Sequence, residues 1–251
     1  MFIIYDLIFI VFGLFYLGYS LFTGKLHKGL WTRFGFLPRN IRYLLDDRTK
    51  NNIWIHAVSV GEVNSLKKLI QDIRDEFGGY RVIISTVTKT GNNVARSFIR
   101  NDELVIFLPF DLSFIVKRMI RMINPKIFIL AETEFWPNLL QYLAGENIPI
   151  ILVNGRISDR SFKGYKIIKL FTKQILRKIS LFCMQTAEDA RKIICLGARQ
   201  EDIVVCGNMK FDGIDYSDKK IDYSDILNLG SEEKLWVCGS THPGEEEIIL
   251  E

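Results

Sequence analysis

The sequence is short of the residues around which many catalytic sites are built. It has three histidines in 251 residues, and none stands at a metal-ligand spacing from a second ligand. Its four cysteines, Cys183, Cys195, Cys206 and Cys238, form no C-x-x-C pair. Three of them lie in apolar, strand-like runs, so they read as buried free thiols in a reducing compartment. The motifs G-x-G-x-x-G, the Walker loop, H-E-x-x-H and G-x-S-x-G are missing, which disfavours dehydrogenase, P-loop, zincin and hydrolase chemistry. Charge of one sign is not in excess either. A net charge of +4 and a pI near 8.8 are too mild to argue for nucleic acid, yet compatible with an anionic membrane surface. Apolar residues are plentiful, at 48%, so a substantial core is available in one large domain or two modest ones.

Residues 2–22 are nearly all apolar, with Asp6 the only charge. A helix of that length spans about 30 Å, the thickness of a bilayer's hydrocarbon core. Asp6 would cost roughly 2.5–3.5 kcal/mol at mid-membrane, but it lies near one end, within reach of the interface. Tyr5, Tyr16 and Tyr19 are placed for the interfaces. Lys25, His27, Lys28, Arg33, Arg39 and Arg42 follow before the first acid, Asp46, so the positive-inside rule puts the rest of the chain in the cytoplasm. A cleaved signal peptide fits less well, without a basic n-region or a small-x-small site. A helix lying in the interface ranks below a span because its polar face is poor. The expectation is a transmembrane anchor over 1–24, with Gly29, Trp31, Phe34, Phe36 and Leu37 adding a shallow membrane contact or a lipid-docking surface.

Beyond it, short apolar runs alternate with amphipathic segments. Strands are expected at 53–58, 81–85, 104–108, 126–131, 149–153, 181–185 and 203–206. Helices are expected at 63–77, from near Thr90, and at 112–123, 136–145, 166–178 and 187–196. Asp111 is placed to cap helix 112–123, and Pro137 suits a first helical turn. This alternation implies an α/β fold with a parallel, doubly wound sheet over 25–206, and such sheets bind ligands beyond the carboxyl ends of their strands. Residues 207–234 lose periodicity and read as a connection. A strand restarts at 235–238 and leads through Gly239–Glu246 into a helix, as though a second domain has only begun at 235–251.

The strand ends hold the candidate residues. Ser59, Gly61 and Glu62 follow the first strand; Gly61 permits a sharp turn and Glu62 opens a helix, where a carboxylate either serves the crevice or only complements the dipole. Glu132 and Glu134 follow the fourth, one free for function if the other caps. Thr88 and Thr90 follow the second, as an anion cradle or a plain N-cap. Arg156 and Arg160 stand among hydroxyls after the fifth, suited to phosphate or carboxylate, or solvated. Gly239, Ser240, Thr241 and His242, with Glu245 beyond, make the strongest anion-site candidate, a glycine turn before a helix start.

Taken together and in order, HAVSVGE (56–62), TVTKTG (86–91), PFD (109–111), ETEFWPN (132–138), NGRIS (154–158) with Arg160 and Ser161, GNMKFD (207–212), GSTH (239–242) and GEE (244–246) resemble the bacterial Kdo (3-deoxy-D-manno-octulosonic acid) transferases of lipopolysaccharide assembly. The resemblance runs from the anchor to the last residue. It implies a B-type glycosyltransferase of two Rossmann-like domains at the cytoplasmic side of the inner membrane. The amino-terminal domain would take a lipid A precursor and the carboxy-terminal domain would hold CMP-Kdo. It further implies inverting transfer without a metal or other cofactor and without nucleic acid as a partner. By carry-over, Glu62 is the general base, Glu132 a second acid, and Ser59, Gly61, Thr88, Thr90, Arg156 and Lys210 substrate-binding. Gly239, Ser240, Thr241, His242 and Glu245 belong to the donor phosphate site. Most of the second domain is absent from the resemblance. A non-catalytic, membrane-bound acceptor-binding fragment, or a B-type transferase for another nucleotide sugar, therefore remains an alternative.

Overall fold

The computed structural model of the protein describes residues 2–22, 29–212, 227–230 and 233–250, with side chains in the first helix described from residue 2 to 15. Lys25, His27 and Lys28, the side chains of Tyr16 and Tyr19, and most of the 207–234 connection lie outside the described residues. The chain divides into two compact units, Met1–Ile214 and Asp215–Glu251.

The first unit is built on seven parallel strands: β1 Asn51–His56, β2 Tyr80–Thr86, β3 Leu104–Phe107, β4 Pro125–Ala131, β5 Ile150–Gly155, β6 Leu181–Met184 and β7 Ile203–Val205. Their order is β3-β2-β1-β4-β5-β6-β7. The central strands are buried on both faces, which explains their near-continuous apolar runs. One layer holds α4 Val60–Ser65, α5 Lys67–Glu76 and α6 Lys89–Arg96, packed through Val63, Leu66, Ile70 and Ala95. The other holds α3 Arg39–Asp46, α7 Ser113–Ile123, α8 Pro137–Gly145, α10 Lys169–Leu176 and α11 Ala187–Leu196, around Trp54, Phe128 and Phe182. The short helices α2 Leu30–Arg33 and α9 Asp159–Ile167 complete this unit. Every expected strand of the first unit is present, with ends shifted by up to two residues.

Four expectations are corrected. The helix expected at 63–77 is two helices with a break at Leu66. The stretch after NGRIS is helical from Asp159, because Ser158 accepts a hydrogen bond from the Ser161 N–H and starts α9. The cysteines are free, but Cys195, Cys206 and Cys238 are exposed and Cys183 is half-buried. Cys206 just follows the edge strand β7, beside which no further strand lies among the described residues. The fourth concerns Asp111. It does not cap α7, whose N-cap is Leu112. Its carboxylate instead accepts hydrogen bonds from the Asn138 N–H (3.0 Å) and the Leu139 N–H (2.8 Å), and so caps α8.

The first helix, α1 Phe2–Phe22, forms as expected in length. Phe2, Tyr5, Asp6 and Phe9, at helical spacing, are its partly buried positions. Phe2 and Tyr5 meet Phe171, and Phe9 meets Phe110. Asp6 accepts hydrogen bonds from the Ser113 N–H (3.2 Å), the Ser113 hydroxyl and the Asn138 side-chain amide (2.6 Å). Gly29, downstream of the helix, lies against the Phe107 ring, where a Cβ would come within 2.2 Å of it. Among the described residues no helix is long and apolar enough to cross a membrane. The transmembrane anchor expected over 1–24 is not shown by the described residues. The amino-terminal turns are bonded to the same domain that holds Gly29, whereas a single pass would leave them on the far side of the bilayer. Asp6 is satisfied by protein donors, not by the interface.

In the second unit, residues 235–238 are not a strand; among the described residues no strand lies beside them to supply ladder bonds. A helix follows, α12 Glu245–Leu250.

Burial pushes the Asp111 carboxyl up to about 6, opposed by the two capping N–H groups and the neighbouring Tyr5 hydroxyl. The cap nevertheless satisfies two donors in a dry place. Asp111→Ala is therefore expected to lower unfolding free energy by about 1–3 kcal/mol, and Asp111→Asn by less, in urea titrations at neutral pH. No change in the alanine variant would remove the cap from the account.

Candidate active site

The strand order reverses between β1 and β4. The chain leaving β1 turns into the α4 layer, and the chain leaving β4 turns into the α8 layer. A crevice opens at such a switch point, and it is lined by the expected acids. Glu62 lies in the first turn of α4 and is buried. Its carboxylate accepts hydrogen bonds from the Val58 N–H (2.7 Å) and the Ser59 hydroxyl (2.9 Å). Burial raises its pKa, those two bonds lower it, and the nearby charges of Glu132 and Glu134 raise it further. Glu134 is raised as well, by burial and then by Glu132. The three carboxylates thus share one crevice. Among the described residues they do not close into a metal-ligating group.

Glu132 has a φ of +55°, a left-handed conformation that costs a non-glycine residue energy. The turn is held on both sides. The Glu132 N–H bonds the Val153 carbonyl (3.0 Å), the Thr133 hydroxyl donates to the Arg156 carbonyl, and the Tyr165 hydroxyl donates to the Thr133 carbonyl (3.3 Å). Arg156 thereby reaches the acidic turn through its backbone, while its side chain is exposed. Thr88 is the N-cap of α6, accepting from the Gly91 N–H, and its hydroxyl also donates to the Val58 carbonyl (3.2 Å). Thr90 is exposed and donates to Thr88 (3.5 Å). A Cβ on Gly91 would meet Thr88 Oγ1 at 2.9 Å and the Ser59 carbonyl carbon at 3.3 Å, so the glycine lets α6 close on the loop that bonds Glu62. Gly61 is a correction: it sits inside α4 with no left-handed φ, and the sharp turn assigned to it is not made there. It is exposed, with nothing closer to a Cβ than Ser59 Oγ at 4.0 Å.

The GNMKFD segment returns to this place. Its 3₁₀ turn, Met209–Phe211, packs against α4, and the Met209 N–H bonds the Asn154 side-chain oxygen (3.2 Å). That brings Lys210 beside the helix bearing Glu62. In the second unit, Glu245 accepts from the His242 N–H (2.9 Å) and lies 3.7 Å from its ring; Ser240 has a φ of +62°. Gly239 and Thr241 flank that turn, and Thr241 bonds Glu246, holding its carboxyl below the usual range.

The sequence model of the family described as "3-Deoxy-D-manno-octulosonic-acid transferase (kdotransferase)" matches residues 28–213. The chain belongs to this family of glycosyltransferases. Over 200 residues the chain is 34% identical to the 3-deoxy-D-manno-octulosonic acid transferase of Haemophilus influenzae, covering 79% of this chain and 47% of that protein. Over 211 residues it is 39% identical to a bifunctional glycosyltransferase/methyltransferase of Fusobacterium nucleatum, covering 82% of this chain and 33% of that one. The chain thus spans a third to a half of the curated relatives it matches. Among solved structures, a UDP-N-acetylglucosamine 2-epimerase aligns with a TM-score of 0.52 at 10% identity, over 72% of this chain and 52% of that one. That likeness concerns the fold alone.

Two residues at the crevice floor were quoted in motifs without a role. His56, ending β1, is fully buried; its Nδ1 lies 3.0 Å from the Ser85 carbonyl. Its Nε2, and the Nε1 of Trp136 whose ring centroid is 6.3 Å away, have no hydrogen-bond partner among the described residues. Burial pushes the imidazole down to about 4, so it is neutral at physiological pH. Composition and spacing offered no signal for this; the only hint was an apolar strand ending in histidine.

Two outcomes are expected for this domain. Glu132→Gly relieves the left-handed strain and should leave urea stability unchanged or raise it by about 1 kcal/mol; a clear loss would show that the conformation is not strained. A depressed His56 pKa contributes stability that is complete above its unfolded value of 6.5 and is lost as pH falls through about 4. Wild type should therefore lose roughly 2–3 kcal/mol more than His56→Gln between pH 6.5 and about pH 4.5. Parallel curves would show that His56 does not titrate as a buried group.

Proposed function

We propose that this domain supplies the acceptor side and the general base of an inverting transfer of Kdo from CMP-Kdo to a lipid A precursor. The observation that carries the proposal is the Glu62 carboxylate, held at the switch point with its pKa raised beside Glu132 and Glu134. A sugar hydroxyl is a weak nucleophile at neutral pH, and a positioned base typically contributes about 10²–10⁴-fold. Burial makes Glu62 a stronger base than a free carboxylate. In the proposed step the acceptor hydroxyl gives its proton to Glu62, its oxygen bonds the anomeric carbon, and CMP leaves from the opposite face. Val58 N–H and Ser59 fix the carboxylate without using all its lone pairs. Glu132 is the second acid of the crevice. Ser59, Gly61, Thr88, Thr90, Arg156 and Lys210 shape or rim the acceptor's place, and the 239–246 loop belongs to donor phosphate binding.

Membrane contact is part of this reading. From Ile10 to Phe15 every side chain of α1 is exposed, Phe12 at 71% and Phe15 at 76%. A helix apolar all round needs a nonaqueous setting. Trp31 at 70% and Phe36 at 54% extend that surface from α2. Because Phe2–Phe9 and Gly29 are both held by the domain, α1 is proposed to dip into the cytoplasmic leaflet of the inner membrane from the side where the domain lies. The alternative of a sugar nucleotide other than CMP-Kdo has no structural observation in its favour.

Glu62→Gln in a complete transferase carrying this domain is expected to keep the KM for the lipid acceptor within a few-fold and to lower kcat by about 10²–10⁴-fold. Near-normal kcat would take Glu62 out of the mechanism.

A further inference from the structure

We infer that the groove between α3 and α7 is a binding site for the phosphate headgroup of an anionic bilayer phospholipid, separate from the acceptor crevice. The inference rests on the membrane-contact reading above. The groove has a volume of about 420 Å³ and is lined by Arg48, Lys117, Arg118, Arg121, Asp46 and Phe114 among others. Four cations face one carboxylate. Among the described residues none of the four cations forms an ion pair, although eight Lys or Arg pairs with carboxylates occur elsewhere.

The groove follows from how α7 is written. Ile115, Val116, Met119, Ile120 and Ile123 are buried in the core. That leaves Phe114, Lys117, Arg118 and Arg121, at i, i+3, i+4 and i+7, as one outward stripe. Like charges at these spacings repel and weaken the helix by a few tenths of a kcal/mol per pair. A solvated face would ordinarily intersperse acids to relieve this, and α7 contains none. A bound anion relieves it instead.

The site is also partly ordered in advance. The Arg118 guanidinium lies over the Phe36 ring, 5.3 Å from its centroid. Arginines present planar forks suited to phosphate. The surroundings point to a lipid source. Phe114 is 67% exposed beside the cations, and Tyr43 on the outer side of α3 is 79% exposed. The stripe starts one residue after Ser113, which bonds Asp6 of α1. The amino-terminal end of the stripe therefore adjoins α1 at Asp6. An anionic headgroup fits the charge, and the acyl chains beside it fit the aromatic rim.

The test is flotation of the full chain with phosphatidylcholine vesicles, with and without phosphatidylglycerol, at low salt. Wild type should bind the mixed vesicles at least about tenfold more tightly, an advantage that added salt should erode. The triple variant Lys117→Gln/Arg118→Gln/Arg121→Gln should lose that advantage while still binding pure phosphatidylcholine. Its thermal stability should not fall, since three mutually repelling charges are gone. A charge-matched control, Lys68→Gln/Arg177→Gln/Arg191→Gln, should keep the advantage. Equal loss in both triples would overturn the site in favour of diffuse charge. Equal binding of wild type to both vesicles would overturn the site and leave membrane contact standing. Failure to bind either vesicle would overturn both. If the triple variant unfolds, the single Arg121→Gln answers the same question through a partial loss.

Discussion

Strands β1 and β4 lie side by side, yet the chains leaving them go to opposite layers. That constraint, set by a reversal in the order of seven parallel strands, leaves a gap between the two layers beyond the strand ends. The residue that ends each strand is aimed at the gap, and the next few residues must turn away within one helical turn. Glu62 enters it from the α4 side and the Glu132–Glu134 turn from the α8 side. Asn154 then catches the chain after β7 and draws Met209 back against α4. Residues 56, 62, 132, 154 and 210, far apart in sequence, are neighbours for this one reason.

Bringing three carboxylates to one crevice works against folding, since Glu132 and Glu134 make Glu62 harder to ionise and Glu132 does the same to Glu134. The structure offsets this only in part. Two donors serve Glu62, and Glu134 stays near water. Glu132 is held in a backbone conformation that glycine would adopt more easily. Asparagine at position 154 tolerates a similar φ through its short polar side chain, but glutamate has no such excuse. A strained acid among mutually repelling acids, at a switch point, is better explained by chemistry than by packing. The chain belongs to a family of glycosyltransferases, and on the proposed reading that chemistry is glycosyl transfer.

Much of this was legible in the sequence because it follows from short-range pattern. Apolar runs fixed the strands, and reading the residues just after each run found Glu62, Glu132 and Glu134 together. What stayed hidden depends on contacts between distant residues. Asp111 looked like the cap of the helix that follows it, since nothing local says that its carboxylate turns toward an N-terminus 27 residues onward. Residues 63–77 carry one apolar stripe through a break at Leu66, because Leu66 is buried on the same side. Asp6 in an apolar run has the same composition whether it meets lipid headgroups or Ser113 and Asn138. Cys206 sits in a β-like run whose edge position is a property of the whole sheet.

The first turn of α8 is where these contacts converge. Asp111 caps it, Asn138 hands its side-chain amide to both the Asp111 carbonyl (2.6 Å) and Asp6 (2.6 Å), and Trp136 immediately before it lies over His56. The Glu132–Glu134 turn ends three residues before Pro137, where α8 starts. Asp6 therefore limits how far α1 can withdraw from the domain. Moving it into hydrocarbon would break its bonds to Ser113 and Asn138 and then add the roughly 2.5–3.5 kcal/mol of a carboxylate at mid-membrane. On the proposed membrane reading, that penalty sets the depth of α1 at Phe9. It also makes the orientation of the bilayer relative to the crevice a matter of hydrogen bonding inside the domain, not of the hydrophobic length of the helix.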